Sequence, residues 1–189
     1  MKRLGLIAWI LWIPFHTLIS QSQVSKDNYT GAWESPSSWN PVWETPETIN
    51  PGQDFIINGH ITVNGSLEFF PSPSDLIIND TLVILGDLYL CELSNLTVNS
   101  NGILIVRGDL AFETNTHIVT NNYIVVTGDI FAYNIGTGSS FISNTNPVKV
   151  FAGGNMRPAT ITKSDGCKPE VISSRSDSPV ANPVMASPL

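Results

Sequence analysis

A motif of about 21 residues recurs four times between Phe55 and Ala132, and it constrains the fold more than any other feature of the chain. The aligned segments are Ile61 to Phe69 (ITVNGSLEF), Leu82 to Leu90 (LVILGDLYL), Leu104 to Phe112 (LIVRGDLAF) and Ile124 to Ala132 (IVVTGDIFA). Their central glycines, Gly65, Gly86, Gly108 and Gly128, are spaced by 21, 22 and 20 residues. Seven residues before each stands an asparagine: Asn58, Asn79, Asn101 and Asn121. Two and four residues to either side of each glycine the positions are apolar, as in Ile61, Val63, Leu67 and Phe69. This alternation turns one side of a strand inward, and a glycine at its centre marks a bend with no room for a side chain. A second short strand precedes each asparagine, seen as Phe55 and Ile57, Leu76 and Ile78, Leu96 and Val98, and Ile118. Asparagine suits a sharp corner, because it tolerates left-handed backbone and its amides can bond along a column.

One unit buries about four large side chains, on the order of 6–12 kcal/mol gross, against about 1.5 kcal/mol for ordering each of ~21 residues. No unit can stand alone, so neighbours must share a core. The predicted fold is all-β: a short single-stranded parallel β-helix, or β-solenoid, of four to five turns. A sandwich of hairpins is the competing architecture, but it has no need of glycines and asparagines in phase. The ends of a stack expose core and backbone and need covers. The Pro-rich stretch carrying Trp33, Trp39 and Trp43 is the expected N-terminal cap, and Phe141 to Phe151 a partial fifth turn.

The ends of the chain suggest export. Lys2 and Arg3 precede an apolar run from Leu4 to Ile13, too short to span a bilayer, and cleavage is expected after Ser20 or Ser22. The expected organisation is a signal peptide over 1–20, a cap over 21–51, the solenoid over 52–155 and an irregular, disordered tail over 156–189. Removing residues 1–20 leaves seven basic against sixteen acidic residues, a net charge of −9. Such a chain is a poor ligand for nucleic acid or anionic membranes, and after cleavage it is not an integral membrane protein. Cys91 and Cys167 enter an oxidising compartment, but 76 residues separate them, roughly 17 Å along a stack with ~4.8 Å between strands. That distance argues against a disulfide unless the tail folds back.

The segment Gly31-Ala-Trp33-Glu-Ser-Pro-Ser-Ser-Trp39, then Pro51-Gly-Gln-Asp54-Phe-Ile-Ile-Asn58-Gly-His60, then the Val/Ile-x-Gly-Asp-Leu units resemble the N-terminal solenoid of type IX-secreted bacterial surface proteins. The same pattern is similar to the glycine-rich G8 domain of some extracellular proteins. The resemblance covers about residues 29–155 and implies a secreted solenoid. Relatives of the first kind continue into adhesive modules and a C-terminal sorting domain.

Candidate sites come from the same columns. Asp87, Asp109 and Asp129 follow three of the glycines, which stacks carboxylates about 4.8 Å apart. Calcium could relieve their repulsion, although one column supplies few of the six or more oxygens that calcium takes; backbone-bonded corner residues are the simpler reading. Trp33, Trp39 and Trp43 are either a platform for a sugar ring or the lid of the first turn. Val83, Leu85, Tyr89, Ile105, Val125 and Phe131 point outward and form either a docking surface or a surface covered by loops. His60 and His117 share no repeat position, and neither a Gly-x-Ser-x-Gly elbow nor a phosphate loop is present. The expected function is therefore a non-catalytic secreted or cell-surface module that contacts surface components or glycans and needs no cofactor. The rivals are a carbohydrate-binding domain using the tryptophans and a polysaccharide-cleaving β-helix, which needs clustered acids and a base on a groove.

Overall fold

The four central glycines stand in a row. Gly86 N–H donates to the carbonyl of Gly65, Gly108 to Gly86 and Gly128 to Gly108, each at 2.9 Å, and Gly154 continues the row onto Gly128 at 2.9 Å. Successive coils therefore lie flat on one another, and the fold is a parallel β-solenoid with no α-helix among the described residues. The structure is a computed structural model of the chain that describes residues 22–44, 49–69, 72–133, 139–159, 162–163 and 169–171. The expected signal peptide and the expected tail beyond residue 171 lie outside the described residues.

Each turn has three strands, which build three parallel faces. The first face is Gln23–Val24, Phe55–Ile57, Ser74–Ile78, Ser94–Val98, His117–Thr120 and Ser140–Ser143. The second is Thr30–Ala32, His60–Val63, Thr81–Ile84, Ile103–Val106, Tyr123–Val126 and Val150–Ala152. The third is Leu67–Phe69, Leu88–Leu90, Leu110–Phe112, Ile130–Tyr133 and Met156–Ala159. The sequence motif spans the second and third faces, with its glycine at the corner between them, and the short strand before each asparagine is the first face.

The stack extends beyond the repeat at both ends. Gln23–Val24 and Thr30–Ala32, within the expected cap, pair in parallel below the first full turn. At the far end Met156–Ala159 pairs in register with Ile130–Tyr133, so a fifth turn is complete and runs past residue 155. These added strands are recruited by backbone pairing, since a growing parallel sheet offers unpaired N–H and C=O groups whatever the side chains.

Inward residues form continuous files up the axis. Ile61, Leu82, Leu104 and Ile124 are register partners on the second face, and Leu67, Leu88, Leu110 and Ile130 on the third. These apolar residues belong to one buried core. Polar residues enter the files of the first face at Gln23, buried beneath Phe55, at Ser74 and Ser94, and at Thr120, which is buried where the turns below place Ile57, Ile78 and Val98. The Thr120 hydroxyl donates to the carbonyl of Asn122 at 2.6 Å and accepts from Asn122 N–H at 3.2 Å, so the polar group is satisfied within its own corner.

Two sequence expectations are corrected. Asn101 does not belong to the asparagine column; Asn99 does. Asn79 Nδ2 donates to Asn58 Oδ1 at 2.8 Å, and Asn99 Nδ2 to Asn79 Oδ1 at 2.6 Å. The corner between the first and second faces has four residues in the third turn, against two in the first, second and fourth, so counting back from Gly108 lands on the wrong asparagine. Cysteine pairing is the second correction. Cys91 is buried and disulfide-bonded, and the one other cysteine in the sequence, Cys167, lies outside the described residues. The distance argument took the tail to keep climbing the axis, whereas Thr162–Lys163 and Pro169–Val171 pair antiparallel in a two-stranded sheet separate from the stack.

Candidate functional surfaces

The corner between the second and third faces is an aspartate ladder. Asp109 N–H donates to Asp87 Oδ1 at 2.8 Å, Asp129 N–H to Asp109 Oδ1 at 2.7 Å, and Asn155 N–H to Asp129 Oδ1 at 2.6 Å. Ser66 begins the ladder by accepting from Asp87 N–H at 3.0 Å. The carboxylate that makes each rung also occupies the space a side chain would need one turn up: a Cβ on Gly108 would collide with Asp87 Oδ1, and one on Gly128 with Asp109 Oδ1. Glycine and aspartate are thus one device, and the glycine is required by the turn below rather than by its own bend.

The same bonds bear on calcium. Each Oδ1 holds a backbone N–H, and Asp87 Oδ2 also accepts the Tyr89 hydroxyl at 2.8 Å. Burial, reinforced by the bond to Asp87, pushes the Tyr89 phenol well above its ordinary pKa. Among the described residues, no three His, Cys, Asp or Glu side chains are grouped to hold an ion. The geometry favours the corner-residue reading of Asp87, Asp109 and Asp129. Melting curves in excess calcium and after chelation are accordingly expected to agree within about 1 °C, a fraction of a kcal/mol for a chain of this size; a larger shift would restore an ion to the ladder.

The tryptophans form a lid. Trp33, Trp39 and Trp43 are 2, 0 and 8 % exposed. They meet edge to face at centroid distances of 4.8, 6.2 and 5.3 Å, and all three pack on Phe55. Trp39 Nε1 donates to the carbonyl of Trp33 at 2.8 Å, which satisfies the buried indole N–H. Of the two readings of these residues, platform or lid, the enclosure of the rings favours the lid, since faces buried this far are not open for a sugar to stack on.

The outward apolar residues divide between faces. Tyr89, Ala111 and Phe131 lie on the outer side of the third face and form a second buried cluster with Cys91. On the second face the outer row Val83, Ile105, Val125 and Phe151 is in register; the first three are half-buried and Phe151 is 52 % exposed. Leu85, 50 % exposed, follows one strand of this face, and Tyr123, 39 % exposed, opens another; the Tyr123 ring stacks on Phe151 at 6.2 Å. The first face carries a parallel row of Val24, Ile56, Ile77, Thr97, Val119 and Ile142, all half-buried. His60 and His117 open strands of different faces.

Between these two rows runs the asparagine corner. At its base Ser25 Oγ accepts from the N–H groups of Asn58 and Gly59 at 2.8 and 3.2 Å. The amide rungs climb through Asn58, Asn79 and Asn99 and resume where Asn144 Nδ2 donates to Asn121 Oδ1 at 2.9 Å. Where the rungs are interrupted, Asn79, Asn99, Ser100, Asn101 and Asn121 line a notch of about 600 Å³. Sequence reasoning missed this notch along with Asn99 and Ser100. The available signal was local: Asn58, Asn79 and Asn99 each directly follow the last inward residue of a first-face strand. Comparison with protein-family models, with curated proteins and with solved structures finds no match to this chain.

Proposed function

We propose that the chain is a secreted or cell-surface, non-catalytic module that works by contact along its flat faces. The observation that supports this reading is the in-register row Val83, Ile105, Val125 and Phe151, bordered by exposed Leu85 and Tyr123. Single exposed apolar residues are ordinary, but a contiguous row on a rigid sheet marks a contact surface. The ladders support it too, since the carboxylates that a cleaving enzyme would need are bonded to backbone N–H groups of the next turn. The expected export signal and the resemblance to bacterial surface solenoids support a contact made outside the cell.

The test is binding of the fluorescently labelled chain, starting at Gln23, to intact cells of its own source. Ile105→Asp and Val125→Asp point outward, so they are expected to shift the melting temperature by no more than about 3 °C. Each should weaken cell binding by about tenfold or more, as loss of a central apolar contact does. Equal binding by parent and variants would sink the surface reading, and release of reducing ends from a polysaccharide panel would replace it with catalysis.

A further inference from the structure

The first turn makes its corner between the first and second faces with Asn58-Gly59, and the third with Asn99-Ser100-Asn101-Gly102, so Ser100 and Asn101 are inserted into the same pair. The insertion leaves the core untouched. Gly59 and Gly102 are both buried, each against a backbone carbonyl of the preceding turn that excludes a Cβ, while Ser100 and Asn101 are exposed. What changes is the outer edge, where one rung of the amide ladder is missing. Asn99 Oδ1 and Asn121 Nδ2, which the pattern of the other turns would join, have no hydrogen-bond partner among the described residues. An acceptor on one turn and a donor on the next therefore border the notch, with the unbonded Asn101 amide on its wall.

The chemistry of this lining selects a ligand class. Its side chains are four neutral amides and one hydroxyl, so an anion would find no cation there, and an apolar ligand would leave the amides without partners. A hydroxyl both donates and accepts, and so can serve Asn99 Oδ1 and Asn121 Nδ2 together. A volume of about 600 Å³ is within the range of small-molecule sites. We infer that the third-turn corner binds neutral carbohydrate through the missing rung, with Asn99 accepting from and Asn121 donating to sugar hydroxyls and Asn101 adding a third contact. This names a ligand for the contact module proposed above and rests on that reading.

The experiment is an NMR titration of the ¹⁵N-labelled chain from Gln23, following the side-chain amides of Asn99, Asn101 and Asn121. The probes are cellohexaose, xylohexaose, mannohexaose and chitohexaose, with hexagalacturonate as the anionic control. At least one neutral probe is expected to give saturable shifts of these amides at millimolar concentration, with the anionic control weaker. Asn101→Ala should weaken that binding several-fold. Deletion of Ser100 and Asn101 recreates the Asn-Gly corner of the first turn, restores the rung, and should melt no lower than the parent while losing about tenfold or more in affinity. The inference is overturned if no neutral probe shifts these amides, in which case water fills the notch, or if the deletion variant binds as tightly as the parent. Shifts confined to Val83, Ile105 and Val125 would also overturn it while leaving the contact surface standing.

Discussion

Replacing Gly108 with alanine is expected to lower the melting temperature by roughly 10 °C, while the same change at Gly65 leaves it within about 2 °C. The two glycines occupy one column and differ only in what lies beneath them. A Cβ on Gly108 would collide with Asp87 Oδ1 and sit 2.9 Å from the Gly86 carbonyl, whereas a Cβ on Gly65 meets nothing within 4 Å. Overpacking costs about 1–3 kcal/mol, and expelling the Asp87 carboxylate from Asp109 N–H forfeits a charge-assisted hydrogen bond worth about 1.5–3 kcal/mol. At Gly65 the backbone is not left-handed, so alanine adds no strain and restricts the unfolded chain slightly. The measurement is thermal unfolding of both variants together with Asp87→Ala and the double variant Asp87→Ala/Gly108→Ala. Because Asp87→Ala removes the colliding atom, the double variant should lose less than the sum of the single changes. Equal losses at Gly65 and Gly108 would show that the glycine column serves local bending and not the carboxylate below.

Trp39→Ala should be at least as damaging, at about 4 kcal/mol or roughly 12 °C, because a fully enclosed aromatic side chain leaves a cavity that its neighbours cannot close. Trp33, Trp43 and Phe55 each pack on its ring, and its indole N–H holds the Trp33 carbonyl. Trp39→Phe should recover part of the loss by restoring packing without the hydrogen bond. The readout is unfolding followed by tryptophan fluorescence, with binding of the hydrophobic dye ANS as a monitor of the lower end of the stack. If Trp39→Ala melted like the parent, the tryptophans would not be a lid.

The columns were legible because each corner repeats its chemistry once per turn, and the packing of the turn below enforces it. Gly86, Gly108 and Gly128 recur because Ser66, Asp87 and Asp109 fill the space a side chain would take. The same reasoning failed where a corner changed length. The glycine spacings of 22 and then 20 hide two inserted residues, since the asparagine column runs through Asn99 with spacings of 20 and then 22. The incomplete first turn was illegible for another reason. Gln23–Val24 and Thr30–Ala32 have neither an apolar alternation nor a ladder residue beyond Ser25, and they join through backbone pairing that leaves no side-chain pattern. Trp33, Trp39 and Trp43 could be placed at the right end of the molecule but not assigned a role, because a lid and a platform need the same residues and differ only in enclosure. The notch left only an indirect trace, in Asn99 directly following the last inward residue of its strand; the absent bond that opens it left none.

The Thr120 hydroxyl closes on Asn122 within its own corner, whereas the amides and carboxylates of the two ladders reach to the turn above or below. Because those reaches repeat in kind from one turn to the next, a whole coil can be excised or duplicated and the cut surfaces still match. Joining Val98 directly to Asn121, for example, keeps Cys91 and sets Asn121 above Asn79, where Asn99 stood. Length along the axis is thus an adjustable quantity of the architecture, changing by about 4.8 Å per coil, and reach can evolve without redesign of any corner.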